Sequence, residues 1–239
     1  MYLSVHHWHP LLNGYSGYVP PSYRIVSGLV RALPDAEALN LLLRATGLRY
    51  VLLHGDQTRA GVRDAWLAAG LDPTRVFGED VLMTTTEAHT DLFDRLRSSE
   101  TETSTLVGTP LAAVPPEERR ASLSIVGTPP RAVLTGLAFE VTVRVSNLGA
   151  ATWPVLSVAP RRIVELVYRW QDPSGRILAT GASPLPYDLG PSRSVVTTLT
   201  VVPPATSGAA LLALGVAQDG EWFAGAPPPI GVGVGRPSR

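Results

Sequence analysis

The chain has 239 residues, 45% of them hydrophobic, which is enough for one or two domains with buried cores. Its 20 basic residues, all Arg, balance 20 Asp and Glu, so the net charge is zero and nonspecific nucleic-acid binding, which relies on a basic surface to displace counterions, is not expected. The absence of Lys excludes Schiff-base and Walker-loop chemistry, and the absence of Cys excludes disulfides, thiol catalysis and cysteine zinc sites.

Taken in chain order, the densest segment comes first. Tyr2 to Tyr23 carries five aromatic residues, His6, His7 and His9, an Asn13-Gly14 turn and Pro20-Pro21. Chain termini are usually polar and tolerant of change, so the chain is expected to be the C-terminal part of something larger. Tyr2 to Trp8 reads as a short strand. Ser22 to Ala32 has a helical rhythm in Ile25, Val26, Leu29 and Val30. A second helix starts at Pro34-Asp35 and is capped by Gly47. Leu48 to His54 reads as a buried strand and Thr58 to Ala69 as a third helix capped by Gly70. Strands are expected at Arg75 to Phe77 and Val81 to Thr85. This alternation predicts a small α/β domain over residues 1–97. Ser98 to Arg120 is rich in Thr, Ser, Glu and Pro and predicts a flexible linker over 98–120.

Residues 121–239 predict an all-β unit. Phe139, Val141, Val143 and Val145 alternate with polar residues, and so do Val164, Leu166, Tyr168 and Trp170. Turn signals stand at Asp172-Pro173-Ser174-Gly175 and at Asp219-Gly220, with Val195 to Val201 and Ala209 to Ala217 as further strands. The fold class expected is therefore α/β plus all-β, the second unit an immunoglobulin-like β-sandwich of about 100 residues. The run Asn147-Leu148-Gly149-Ala150-Ala151-Thr152-Trp153 resembles a turn of bacterial immunoglobulin-like modules attached to surface and carbohydrate-active proteins.

Chemical motifs are sparse. On a strand His7 and His9 share a face and His6 does not; no acidic residue precedes Asp35, and Asp56 is a distant third ligand at best, so no metal site is assigned. Ser16 sits in Gly14-Tyr15-Ser16-Gly17, whose spacing fails the hydrolase elbow G-x-S-x-G. A hydrolase pairing Ser16 with His7 or His9 is the weakest of the three functions considered, and no catalytic residue or cofactor is assigned. Ligand-binding candidates are His7, Trp8, His9, Asn13, Tyr15 and Tyr18 in the first segment, because aromatic rings stack on sugar faces while polar groups hydrogen bond. The competing reading packs this loop onto a membrane portion outside this chain or onto its own α/β core. In the β unit, the phase of Trp170 predicts a core position, whereas Trp153 and Trp222, at turns, are candidates for an exposed sugar platform.

The pattern Tyr-Leu-Ser-x-x-His-Trp-x-Pro-Leu-x-Asn-Gly-Tyr-Ser-Gly-Tyr-x-Pro-Pro-Ser-Tyr, at Tyr2 to Tyr23, resembles a segment of bacterial membrane proteins similar to the dolichyl-phosphate-mannose protein mannosyltransferases. The likeness extends through Arg49-Tyr50-Val51 over about the first 85 residues. It implies a region on the extracytoplasmic face, after the last membrane helix of a glycosyltransferase. The catalytic acidic residue of those enzymes lies in a part this chain does not contain. The longest apolar run, Ala209 to Ala217, is shorter than the roughly 20 residues of a membrane helix, and no signal peptide is apparent. The resemblance implies a non-catalytic accessory region that positions or recognises a glycan or protein acceptor. Its partners would be N-terminal membrane helices and a glycan or polyprenyl-linked sugar. The alternative is a stand-alone carbohydrate- or protein-binding module of the cell surface.

Overall fold

A computed structural model describes residues 21–55, 61–85, 91, 92, 95, 102–159 and 161–236. His7, Trp8, His9, Asn13, Tyr15, Ser16 and Tyr18 lie outside the described residues, as does Asp56.

The helices begin and end where local chemistry directs. Helix α1 (Pro21–Ala32) opens on proline, whose missing N–H costs nothing in a first turn. It buries Ile25 and Leu29, while Val30, expected on the same stripe, is exposed. In α2 (Ala36–Thr46) the Asp35 carboxylate accepts the N–H groups of Glu37 and Ala38, and Gly47 closes the helix in the left-handed region. Strand β1 (Tyr50–Leu53), α3 (Val62–Ala68), β2 (Asp72–Phe77) and β3 (Asp80–Thr84) complete the N-terminal part. The third helix is shorter than expected, beginning after Gly61, which has φ 79°.

The sheet order is β1-β3-β2 with both pairs antiparallel. Two expectations are thereby corrected. The small α/β domain expected over 1–97 is not what forms, the three strands making an all-antiparallel sheet, and β1 is not a buried strand. One face of the sheet is covered, with Val81 and Met83 buried, whereas Tyr50 and Leu52 on the other face are exposed. An antiparallel sheet tolerates one open face where a parallel one does not.

The remainder is a sandwich of two antiparallel-dominated sheets. One contains β4 (Ala121–Ile125), β6 (Phe139–Asn147) and β9 (Ser194–Val201) in the order β4-β6-β9. The other contains β5 (Ala132–Leu134), β7 (Val164–Gln171), β8 (Ile177–Pro184), β10 (Gly208–Gln218) and β12 (Ile230–Gly235) in the order β5-β12-β10-β7-β8, with β11 (Glu221–Trp222) paired to β10. This is the immunoglobulin-like arrangement: β4, β6 and β9 take the places of strands A, B and E, and β7, β10 and β12 those of C, F and G. The short β5 joins β12 in parallel.

The alternation read from the sequence selects the inward face. Val141, Val143 and Val145 of β6 meet Leu166, Tyr168 and Trp170 of β7 and Leu212, Leu214 and Val216 of β10, all buried. Trp170 stands on the strand where antibody domains place a core tryptophan. Its Nε1 donates to the Val202 carbonyl at 3.0 Å, and its ring meets Phe139 edge-on at 6.4 Å. With no cysteine, this packing does without the inter-sheet disulfide.

Two attachments depart from a separate-domain picture. Helix α1 packs against β8 and β9, the adjoining edges of the two sheets, with Gly28 against the Leu185 carbonyl. The buried residues of α1 and α2 belong to the same hydrophobic cluster as the sandwich core.

The chain from Glu102 to Arg120 is folded onto the sandwich, which corrects the linker expectation for that stretch. Leu106 is fully buried, and its N–H donates to the Leu156 carbonyl at 2.7 Å. Thr105 Oγ1 donates to Asp188 Oδ2 at 2.6 Å, while Asp188 Oδ1 accepts the N–H groups of Val155 and Leu156. Gln218, only 1% exposed, accepts the Val114 N–H through Oε1 and donates through Nε2 to the Ala112 and Arg162 carbonyls. Composition suggested too little apolar surface to bury. The segment instead buries Leu106 and Val114, ties the backbone of Ala112 and Val114 to the buried Gln218 amide, and ties the Thr105 hydroxyl to the Asp188 carboxylate.

Gln218→Ala should therefore lower stability by about 2–3 kcal/mol, since three polar groups lose a partner inside the fold. Limited proteolysis should then cut at Arg119 or Arg120 faster than in the wild type. Unchanged stability and cleavage would show that the segment is held by other contacts.

Among the described residues no helix is long and apolar enough to cross a membrane, and no three His, Cys, Asp or Glu side chains are grouped to hold a metal.

Candidate functional site

Strand pleating that sends Leu166, Tyr168 and Trp170 inward sends Glu165, Val167 and Arg169 outward. Register then brings neighbours beside them. Arg169 stands between Ala213 of β10 and Thr180 of β8, and Val167 between Gly215 and Ala182. Small residues on β8 and β10 leave a groove in this outward face, with a volume of about 360 Å³.

The β10–β11 hairpin supplies the aromatic wall. Asp219 and Gly220 both have positive φ, 51° and 83°, the conformation that a tight Asp-Gly hairpin turn demands. This turn pairs Trp222 with Ala217. The indole leans across the strand at Gly215, where an added Cβ would stand 2.6 Å from Trp222 Cε3. On the groove side, Arg169 Cζ lies 4.9 Å from the centre of the indole, a cation–π contact.

The charged groups are unequally satisfied. Asp219 Oδ1 accepts the Arg162 N–H at 3.2 Å. Glu165 faces Arg24 of α1 at 4.0 Å, and Arg24 Nη2 also donates to the Ser157 carbonyl at 2.5 Å. Burial pushes the Glu165 carboxyl above its ordinary value against the opposing pull of Arg24, and burial lowers the Arg24 guanidinium against the pull of Glu165. Arg169 is half-buried, its Nε is shielded from solvent without a hydrogen-bond partner, and no carboxylate among the described residues pairs with it.

Trp222 is the one predicted site residue of the β unit that the structure places at this groove. Trp153 is not exposed, which corrects the platform expectation: it is fully buried and meets Phe223 edge-on at 5.3 Å. The two tryptophans therefore cannot form one surface. Arg169, Glu165, Asp219 and Thr180 were not singled out as ligand contacts from the sequence. The outward phase of β7 was readable there, but their convergence with Trp222 depends on strand order and register.

The groove offers an aromatic ring, carboxylate acceptors and a guanidinium donor, and no histidine among the described residues lines it. A second cleft of about 280 Å³ lies between the α1–α2 turn and the outward faces of β6 and β9, where, among the described residues, it is lined by Arg31, Asp35 and Arg144 but no aromatic residue.

Gly215→Ala is expected to drive the indole off the sheet, because the new methyl would occupy the position of its six-membered ring. The loss is readable as a changed Trp222 fluorescence contribution, measured against Trp222→Phe in the same background. An unaltered spectrum would mean that the ring does not rest on Gly215.

The sequence matches no protein-family model and no curated relative. Solved structures with partial likeness include a beta-glucosidase from Listeria innocua in complex with glucose, at 13% identity over 48% of this chain and with a TM-score of 0.32. This chain spans only 16% of the length of that enzyme. A CARDB domain from Pyrococcus furiosus, in complex with di-metal ions, is 19% identical over 52% of this chain and 95% of its own length, with a TM-score of 0.31. The C-terminal domain of wzt is 11% identical over 49% of this chain and 72% of its own length, with a TM-score of 0.33. Likenesses at this level bear on neither ligand nor activity.

Proposed function

We propose that the sandwich is a glycan-binding module whose recognition surface is the outward face of the β5-β12-β10-β7-β8 sheet. The observation that carries this reading is Trp222, laid across Gly215 and held against Arg169 at the wall of a groove with polar groups at both ends. An aromatic ring fixed in place presents an apolar surface at little entropic cost, and surrounding acceptors and donors hold sugar hydroxyls. The groove volume lies within the range of about 300–1,000 Å³ common to small-ligand sites.

The pattern at Tyr2 to Tyr23 supports a setting for this module: the extracytoplasmic side of a membrane glycosyltransferase-like protein, where it positions or recognises a glycan acceptor beside the membrane helices of its parent. In that setting the partner is a glycan or polyprenyl-linked sugar chain, and the module contributes binding rather than chemistry.

The test is a glycan screen followed by calorimetry on the protein and on Trp222→Ala. The wild type should bind a saccharide, and Trp222→Ala should weaken that binding at least about tenfold, about 1.4 kcal/mol, with unchanged circular dichroism. Equal binding by the two proteins would remove this surface from consideration.

A further inference from the structure

We infer that the groove selects a carboxylate-bearing sugar: a hexuronic acid residue whose carboxylate pairs with Arg169 while hydroxyls of the saccharide donate to Glu165 and Asp219. This rests on the glycan-binding reading above and adds the ligand class and the residue that decides it.

The argument starts from which charges are already answered. Asp219 has the Arg162 N–H and Glu165 has Arg24 across 4.0 Å. Among the described residues, Arg169 has the face of Trp222 alone. Its Nε is buried without a partner, so this guanidinium has given up part of its hydration with no hydrogen bond in exchange. A partly desolvated guanidinium gains more from an incoming anion than a fully solvated one. Its planar fork matches a carboxylate with two parallel N–H···O bonds.

The two ends of the groove differ in a way that suits a sugar acid. Arg169 and Thr180 are cross-strand neighbours at one end, and Glu165 and Asp219 stand at the other. Glu165 and Arg169 are four positions apart on β7, about 13 Å of extended chain. That length suits a short oligosaccharide rather than a small ion. Hydroxyl donors meet the carboxylate acceptors, the acid group meets the guanidinium, and Trp222 offers the intervening apolar surface. An acidic peptide would satisfy Arg169 but would bring further negative charge towards Glu165 and Asp219.

Calorimetry at low salt distinguishes these cases. The probes are trimers of galacturonic, glucuronic and mannuronic acid, their methyl esters, and tetraglutamate; the proteins are the wild type, Arg169→Gln, Arg169→Lys and Trp222→Ala. At least one acid trimer should bind the wild type about tenfold or more tighter than its ester. Arg169→Gln should abolish the preference, its acid-to-ester affinity ratio falling to about one whatever happens to the absolute affinities, and Arg169→Lys should retain part of the preference, since it keeps the charge but not the fork. Esters binding as tightly as acids, an acid preference that survives Arg169→Gln, or tetraglutamate binding as tightly as the best uronate would each overturn the inference. Neutral-sugar binding that depends on Trp222 without an acid preference would overturn it and leave the glycan reading standing. Binding of no saccharide at all would overturn both.

Discussion

Replacing Trp153 by Ala is expected to destabilise the protein by about 3–5 kcal/mol, the range found when a large aromatic side chain is removed from a packed core. Trp153 has no solvent exposure and fills the space between the Asn147–Trp153 turn and the Phe223 ring. Its backbone is tied as well: Trp153 N–H donates to the Leu189 carbonyl at 3.0 Å, and Leu189 N–H returns the bond at 3.2 Å. The cavity would open beside a bridge that joins two loops of the sandwich. A loss of this size is a large share of the roughly 5–15 kcal/mol that stabilises a typical domain. Urea unfolding followed by far-UV circular dichroism measures it. Trp153→Phe sharpens the test. The Nε1 group is buried without a partner, so phenylalanine removes an unsatisfied donor while keeping most of the ring, and its cost should be well below that of alanine. Equal losses for the two variants, or a loss under about 1 kcal/mol for alanine, would contradict the core assignment.

Asn147→Ala should cost about 2–4 kcal/mol, because one buried amide closes three hydrogen bonds whose partners stay behind. Asn147 Nδ2 donates to the Ala151 and Leu189 carbonyls, both at 2.9 Å, and Oδ1 accepts the Gly149 N–H at 2.9 Å. The residue is fully buried. Asn147→Asp separates geometry from chemistry: it keeps the acceptor for Gly149 but turns a second oxygen towards two carbonyls. Aspartate should therefore be no better than alanine at neutral pH, and should recover on acidification as the carboxyl gains a proton. A fully tolerated aspartate would sink this account. Because Asn147 and Trp153 share Leu189, the double variant should lose less than the sum of the single losses.

These two residues show how a sequence motif can be recognised correctly and still be given the wrong work. Asn-x-Gly-x-x-x-Trp was readable as a turn, and its glycine has a steric reason: a Cβ at Gly149 would collide with the Glu118 carbonyl. A turn position suggested an exposed indole. In the folded chain the turn folds back on the sandwich, and Trp153 becomes core. Composition misled in the same way over 102–120, where two apolar residues and the side chains of Gln218 and Asp188 hold a polar segment in place.

Local chemistry in the chain determines much of the architecture. Alternation along β6, β7 and β10 decides which side chains enter the core, since a strand has only two faces and one register buries the apolar set. Asp35, Gly47 and Asp219-Gly220 set the helix cap and the hairpin because each supplies a hydrogen bond or a positive φ that few other residues supply. Helix positions in the N-terminal part follow from the 3.6-residue rhythm. Tertiary structure alone decided that this part is antiparallel and shares its core with the sandwich. It also decided that Trp222 meets Arg169, which is 53 positions earlier in the chain (222 less 169). That meeting needs β10 between β7 and β11, a glycine at the crossing and a specific cross-strand register. A binding groove is a relation among strands distant in sequence, and the periodicity of a single strand carries no information about its neighbours.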